Sequence, residues 1–89
     1  MKSIKTGTRF LRDLKLARRR GKDLAKIEAV IDAIAHGQKL APRHGPHRLR
    51  GELEGLWECH IEPDWLLIWD EDDRQVVLIR CGSHADLFE

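Results

Sequence analysis

The sequence predicts a small α+β fold, and three observations carry that expectation. Two stretches in the first half place apolar residues at helical spacing. The second half holds two short runs dense in Trp, Leu, Ile and Val, residues 65–69 and 76–79, each bounded by turn residues, as buried strands are. No apolar run is longer than five residues, which is far too short for a membrane-spanning helix. The expected architecture is two N-terminal helices packed on a twisted, mainly antiparallel sheet of four to five strands. At 89 residues the chain suffices for one domain, 1–89, with one modest core. Its apolar content of 42% fits a packed fold rather than disorder.

Taken in order, residues 3–5 leave room for a short edge strand near residue 4. Thr6 or Thr8 is a cap for a helix over residues 8–20, with Phe10, Leu14 and Ala17 on one stripe. Arg9, Arg12, Lys15 and Arg19 occupy much of the remaining surface, and Gly21 breaks the helix. Asp23 is the N-cap expected for a second helix over residues 23–36, where Leu24, Ile27, Ile31 and Ile34 recur at helical spacing. Gly37 is its natural stop.

Pro42, Gly45 and Pro46 then punctuate a loop. Strands are expected over residues 47–53, 56–62, 65–70 and 74–82, with turns at Gly55, at Pro63-Asp64 and at Asp70-Glu71-Asp72-Asp73. Alternation puts Trp57, Cys59 and Ile61 on one face, with Glu58 and His60 on the other. In the last strand it groups Val77, Ile79 and Cys81 against Val76, Leu78 and Arg80. His60 and Arg80 then emerge on the same open face.

The net charge of +1 conceals a division. Residues 1–50 carry 14 Lys/Arg and 4 Asp/Glu, a net of +10, whereas residues 51–89 carry 2 and 11, a net of −9. Such asymmetry points to a basic surface for a polyanion, or to two solvated faces that neutralise each other across the fold. The basic start has no apolar stretch behind it, so a cytoplasmic location is expected. Cys59 and Cys81 fall on the two outer strands of a three-stranded meander, about 10 Å apart and too distant for a disulfide. Both are expected to be small buried thiols.

Five histidines are many for a chain of this size. His47, His60 and His84 stand at strand boundaries and converge with Asp64 if the strands pair as expected. His36 sits where a helix C-terminus favours an imidazole, and His44 lies in a loop without an assigned role. Three readings compete. In the first, the histidines and Asp64 cleave RNA by acid–base chemistry. A base takes the 2′-hydroxyl proton, an acid protonates the 5′-oxygen, and Arg80 or an imidazolium stabilises the phosphorane. Trp65 and Phe88 would stack on splayed bases. In the second, His47, His60, Asp64 and His84 hold a metal, although no HxH or HxxxH spacing supports this. In the third, there is no chemistry and the basic helices grip a polyanion or a protein. GxGxxG, GxxxxGK[ST] and GxSxG are all absent, so nucleotide binding and serine hydrolysis have no support.

Three blocks then carry a resemblance: His47-Arg48-Leu49-Arg50-Gly51, His60-Ile61-Glu62-Pro63-Asp64-Trp65-Leu66-Leu67-Ile68-Trp69, and Gly82-Ser83-His84-Ala85-Asp86-Leu87-Phe88. Together they resemble the YafQ-type mRNA interferase toxins of the RelE/ParE superfamily of bacterial toxin–antitoxin systems. The upstream helical hairpin fits as well. The resemblance implies a RelE/ParE-like fold, ribosome-dependent cleavage of mRNA without a cofactor or metal, and neutralisation by a cognate antitoxin. It matches the catalytic group to His47, His60, Asp64 and His84, the aromatic positions to Trp65 and Phe88, and a basic position to Arg80. The helical residues Arg9, Arg12, Lys15 and Arg19 are then expected to meet ribosomal RNA or the antitoxin. Ser83 stands for a usual Thr, Trp69 for a Tyr, and Arg48 for a Pro. The gyrase-inhibiting ParE type is the main rival, and it lacks such a histidine cluster.

Overall fold

In the computed structural model, which describes residues 1–88, the elements follow in the order β1 (Ser3–Thr6), α1 (Thr8–Arg19), α2 (Leu24–Ala35), β2 (His47–Arg48), β3 (Trp57–Glu62), β4 (Trp65–Glu71), β5 (Gln75–Gly82) and α3 (His84–Phe88). Both long helices lie where their apolar spacing puts them. Asp23 caps α2 as expected, accepting from the Ala25 N–H at 3.0 Å. Helix α1 instead begins at Gly7 with no side-chain cap, because Thr6 is already the last residue of β1. Gly21 and Gly37 close α1 and α2 in the same way, at φ of +80° and +68°. In each case the next N–H reaches back to the last turn: Lys22 to the Ala17 carbonyl and Gln38 to the Ala33 carbonyl.

The five strands form one sheet in the order β1-β5-β4-β3-β2. β1 runs parallel to β5, and every other pair is antiparallel. The anticipated edge strand is therefore present, and the meander β3-β4-β5 is as expected. Phe10 and Ala17 of α1 and Ile27, Val30 and Ile34 of α2 pack on Cys59, Ile61, Trp65, Leu67, Trp69, Val76, Leu78 and Cys81 of the sheet. Leu66 and Ile68 are just as deeply buried but lie outside that cluster, so central β4 is covered on both faces. Among the described residues, no helix is long and apolar enough to cross a membrane.

Two expectations are corrected. The strand predicted over 47–53 stops after Arg48, because Gly51 adopts φ +76° and residues 51–53 form a 3-10 turn. In β5, Trp69 pairs with Leu78 but Ile68 pairs with Arg80, leaving Ile79 as a bulge. The extra residue reverses the alternation, so Val76, Leu78 and Cys81 share the core face. Cys59 and Cys81 flank Leu67 from the two sides of β4, and both are free and buried. Burial pushes each thiol up to about 12.

Candidate functional site

Two chain reversals bring the site together. The Pro63-Asp64 turn joins β3 to β4, and Gly82-Ser83 leads from β5 into α3. The register places His60 opposite Leu66, and Leu66 opposite Gly82, so the end of β3 lies two strands from the start of α3. His84 opens α3, and its backbone N–H donates to Asp64 Oδ1 at 2.9 Å. Its ring Nδ1 donates to the same oxygen at 2.6 Å. These two bonds, the backbone one first, hold the Asp64 carboxyl below its ordinary value. With the Nδ1 proton committed to Asp64, Nε2 is the nitrogen left for chemistry. The His60 ring stands 6.0 Å from the His84 ring, centre to centre, with an interplanar angle of 40°. That gap is too wide for a direct hydrogen bond. Among the described residues, none forms a hydrogen bond to the His60 ring, whereas the His60 carbonyl accepts from buried His44 at 2.6 Å.

His47 lies further along the same face, on β2. Its Nδ1 donates to the Gly45 carbonyl at 2.9 Å, and its Nε2 is 3.2 Å from Glu58 Oε1. Glu58, paired with His47 across β2 and β3, is only 6% exposed, and its second oxygen has no partner among the described residues. A buried carboxylate oxygen without a partner is costly. Alternation had placed Glu58 on the His60 face but had assigned it no role.

Two expected site residues are placed elsewhere. Trp65 is 1% exposed and belongs to the helix-facing core, so no ring face is open for a base to stack on. Trp65 alternates with Leu67 and Trp69 onto the helix-facing side of β4, beneath Lys22, whose ammonium is 5.7 Å from the ring centre. Arg80 is not a free cation either. Its Nε donates to Asp13 Oδ2 at 2.6 Å and its Nη2 to Oδ1 at 3.2 Å, and the same carboxylate accepts the Cys81 N–H at 3.1 Å. β1 covers the edge of β5 only as far as Leu78, and Asp13 of α1 completes that edge. The carboxylate raises the Arg80 guanidinium above its ordinary value.

The remaining positions lie at the surface. Phe88 is 47% exposed on α3, and Arg9, Arg12, Lys15 and Arg19 are all exposed on α1. Among the described residues, no three His, Cys, Asp or Glu side chains gather as metal ligands. Asp86 was missed, although Ser83 followed three residues later by an acid is the spacing of a capping box. That box is formed: Ser83 N–H donates to Asp86 Oδ2 at 2.9 Å, and Asp86 N–H donates to Ser83 Oγ at 3.1 Å.

Fold and site together define a small α+β protein with an exposed imidazole–carboxylate site and a basic helical face. Residues 2–89 match the family described as the bacterial toxin of type II toxin–antitoxin system, YafQ. The mRNA interferase toxin YafQ of Escherichia coli K12 is 32% identical over 88 residues, 98% of this chain and 96% of that one. The crystal structure of YafQ from E. coli BL21(DE3) covers 100% of both chains with a TM-score of 0.94 at 30% identity. The toxin in the crystal structure of the E. coli DinJ–YafQ toxin–antitoxin complex matches with a TM-score of 0.91 at 31% identity, over 99% of this chain and 98% of that one. The chain belongs to the YafQ family of type II toxins, and it is an endoribonuclease of the mRNA interferase kind.

Proposed function

We propose that this toxin cleaves ribosome-bound mRNA by general acid–base catalysis that needs no metal, with His60 as the base and His84 as the acid. His60 removes the 2′-hydroxyl proton as that oxygen attacks the adjacent phosphorus. The new P–O2′ bond forms as the P–O5′ bond breaks, and His84 delivers its Nε2 proton to the departing 5′-oxygen. The products are a 2′,3′-cyclic phosphate and a 5′-hydroxyl end.

The observation that carries this reading is the His84 ring, held at 2.6 Å by Asp64 and facing His60 across 6.0 Å. Asp64 is occupied by two bonds from His84, which favours an orienting role over that of base. His47 has a carbonyl acceptor at one ring nitrogen and a carboxylate at the other, so neither nitrogen faces a group whose proton it could take. It therefore serves better as a cation for the phosphorane than as a proton acceptor. Phe88 supplies the stacking surface.

The exposed Arg9, Arg12, Lys15 and Arg19 suit ribosomal RNA phosphates. The E. coli relative is solved in complex with the antitoxin DinJ, and the same basic helix suits an acidic segment of a cognate antitoxin. The setting for both partners is the cytoplasm.

Single-turnover cleavage of mRNA on purified 70S ribosomes tests the assignment. His84→Ala and His60→Ala should each lose about 10²–10⁴-fold in rate while ribosome binding stays near normal. Full cleavage by either variant, or cleavage abolished by a chelator, would overturn it.

A further inference from the structure

Asp86 takes no part in the chemistry above, yet its carboxylate accepts three hydrogen bonds beside the site. Arg20, the C-cap residue of α1, grips it bidentately: Nη1 donates to Oδ2 at 2.6 Å and Nη2 to Oδ1 at 3.1 Å, across 66 positions of sequence. The reciprocal Ser83–Asp86 bonds add the turn that starts α3. The arrangement also dictates the residue at position 82. A Cβ on Gly82 would lie 2.9 Å from both Cβ and Oδ2 of Asp86, closer than real Cβ atoms come, so the carboxylate can sit there only over a glycine. The Arg20 hydrogen bond, followed by that from Ser83, holds the Asp86 carboxyl far below the usual carboxylate range.

These contacts bear on His84 because α3 has only five residues, too few to hold a helix without outside support. Two clamps supply that support. Asp64 holds His84 by ring and backbone, and Arg20 holds the next turn through Asp86. A cleft of about 240 Å³ lies between them, lined by Asp13, Arg20, Lys22, Asp64, Ser83 and Asp86 among others. Asp64 orients the ring but holds only the first residue of α3. The second clamp steadies the short helix on which that ring is mounted.

From this geometry we infer that Arg20 and Asp86 are positioning residues for the general acid, tying the basic helix α1 to the placement of His84 at the leaving oxygen. The inference rests on the acid–base reading above, and its test separates the two. It uses synthetic mRNA in which the scissile 5′-bridging oxygen is replaced by sulfur. A thiolate leaves without protonation, because a thiol is a far stronger acid than an alcohol. A defect in the general acid is therefore suppressed on the sulfur substrate, whereas a defect in folding or ribosome binding is not.

Arg20→Ala, Arg20→Lys and Asp86→Asn are compared with His84→Ala on 70S ribosomes, with thermal melting as a check on the fold. Lysine keeps the charge but not the two-pronged grip, and it serves if the alanine variant does not fold. The expected result is a loss of about 10- to 100-fold on the oxygen substrate at saturating ribosome, KM within about twofold, and near wild-type rates on the sulfur substrate. If sulfur fails to rescue His84→Ala, the acid assignment itself is wrong. If it rescues His84→Ala while the Arg20 and Asp86 variants are either unimpaired on oxygen or equally slow on both substrates, the positioning role is wrong.

Discussion

Oδ1 of Asp64 accepts two hydrogen bonds from one residue, His84, at 2.9 Å from the backbone and 2.6 Å from the ring. A carboxylate used in this way fixes both the tautomer and the direction of the imidazole. Asp64→Asn keeps the shape but removes the charge that supports the ring as a proton donor. Cleavage by this variant should fall about 10- to 100-fold, with little change in thermal midpoint or ribosome affinity. Wild-type rates on mRNA would show that the pair has no part in the reaction.

Trp65 and Phe88 should separate cleanly. Trp65→Ala empties a fully buried site and should lower stability by about 3–5 kcal/mol in urea titrations. Phe88→Ala should cost much less stability than Trp65→Ala, since Phe88 is 47% exposed. It should instead weaken productive mRNA engagement by about 1–3 kcal/mol, read as a rise in KM, if the ring stacks on a base. A Phe88→Ala enzyme with unaltered KM and rate would remove the stacking role.

The basic face of α1 makes a prediction in salt. Ribosome binding should weaken steeply between about 50 and 200 mM salt. Replacing Arg12, Lys15 and Arg19 together by Gln should flatten that dependence by about three charges without altering the melting temperature. The readout is the slope of log affinity against log salt, by filter binding or sedimentation. Equal slopes for the wild type and the triple variant would show that another surface carries the phosphate contacts.

Acid should loosen the fold in a defined direction. Glu62 is held below its ordinary value by Lys22 and then Lys26, Asp64 by His84, and Asp86 by Arg20 and Ser83. For each group the unfolded chain binds the proton more readily than the folded one. The stability they contribute is complete above the ordinary carboxylate range near about pH 4 and is lost as pH falls from there through the lower folded-state values. Urea midpoints should therefore be flat near neutrality and decline below about pH 5. Asp86→Asn should make the decline shallower. A midpoint that rises on acidification would contradict these pairings.

Both long helices, their glycine stops, the Asp23 cap, the three-stranded meander and the convergence of His60, Asp64 and His84 are legible in the order of the residues alone. Each of these rests on a local regularity: the 3.6-residue period, a capping residue, or turn residues between apolar runs. Which face a strand residue occupies beyond a bulge depends on the packed sheet. One unpaired residue at Ile79 reverses the parity of β5 and leaves the composition of the strand unchanged. Trp65 shares one side of β4 with Leu67 and Trp69, and it is buried because the helices cover that side, although its chemistry equips it equally well for a binding surface. Partner choice was hidden for a related reason. Arg80 meets Asp13 across 67 positions, and Arg20 meets Asp86 across 66. Nothing in a local pattern says which distant carboxylate a guanidinium will find. That is settled by how α1 lies along the edge of β5 and the start of α3, once the core has drawn helices and sheet together.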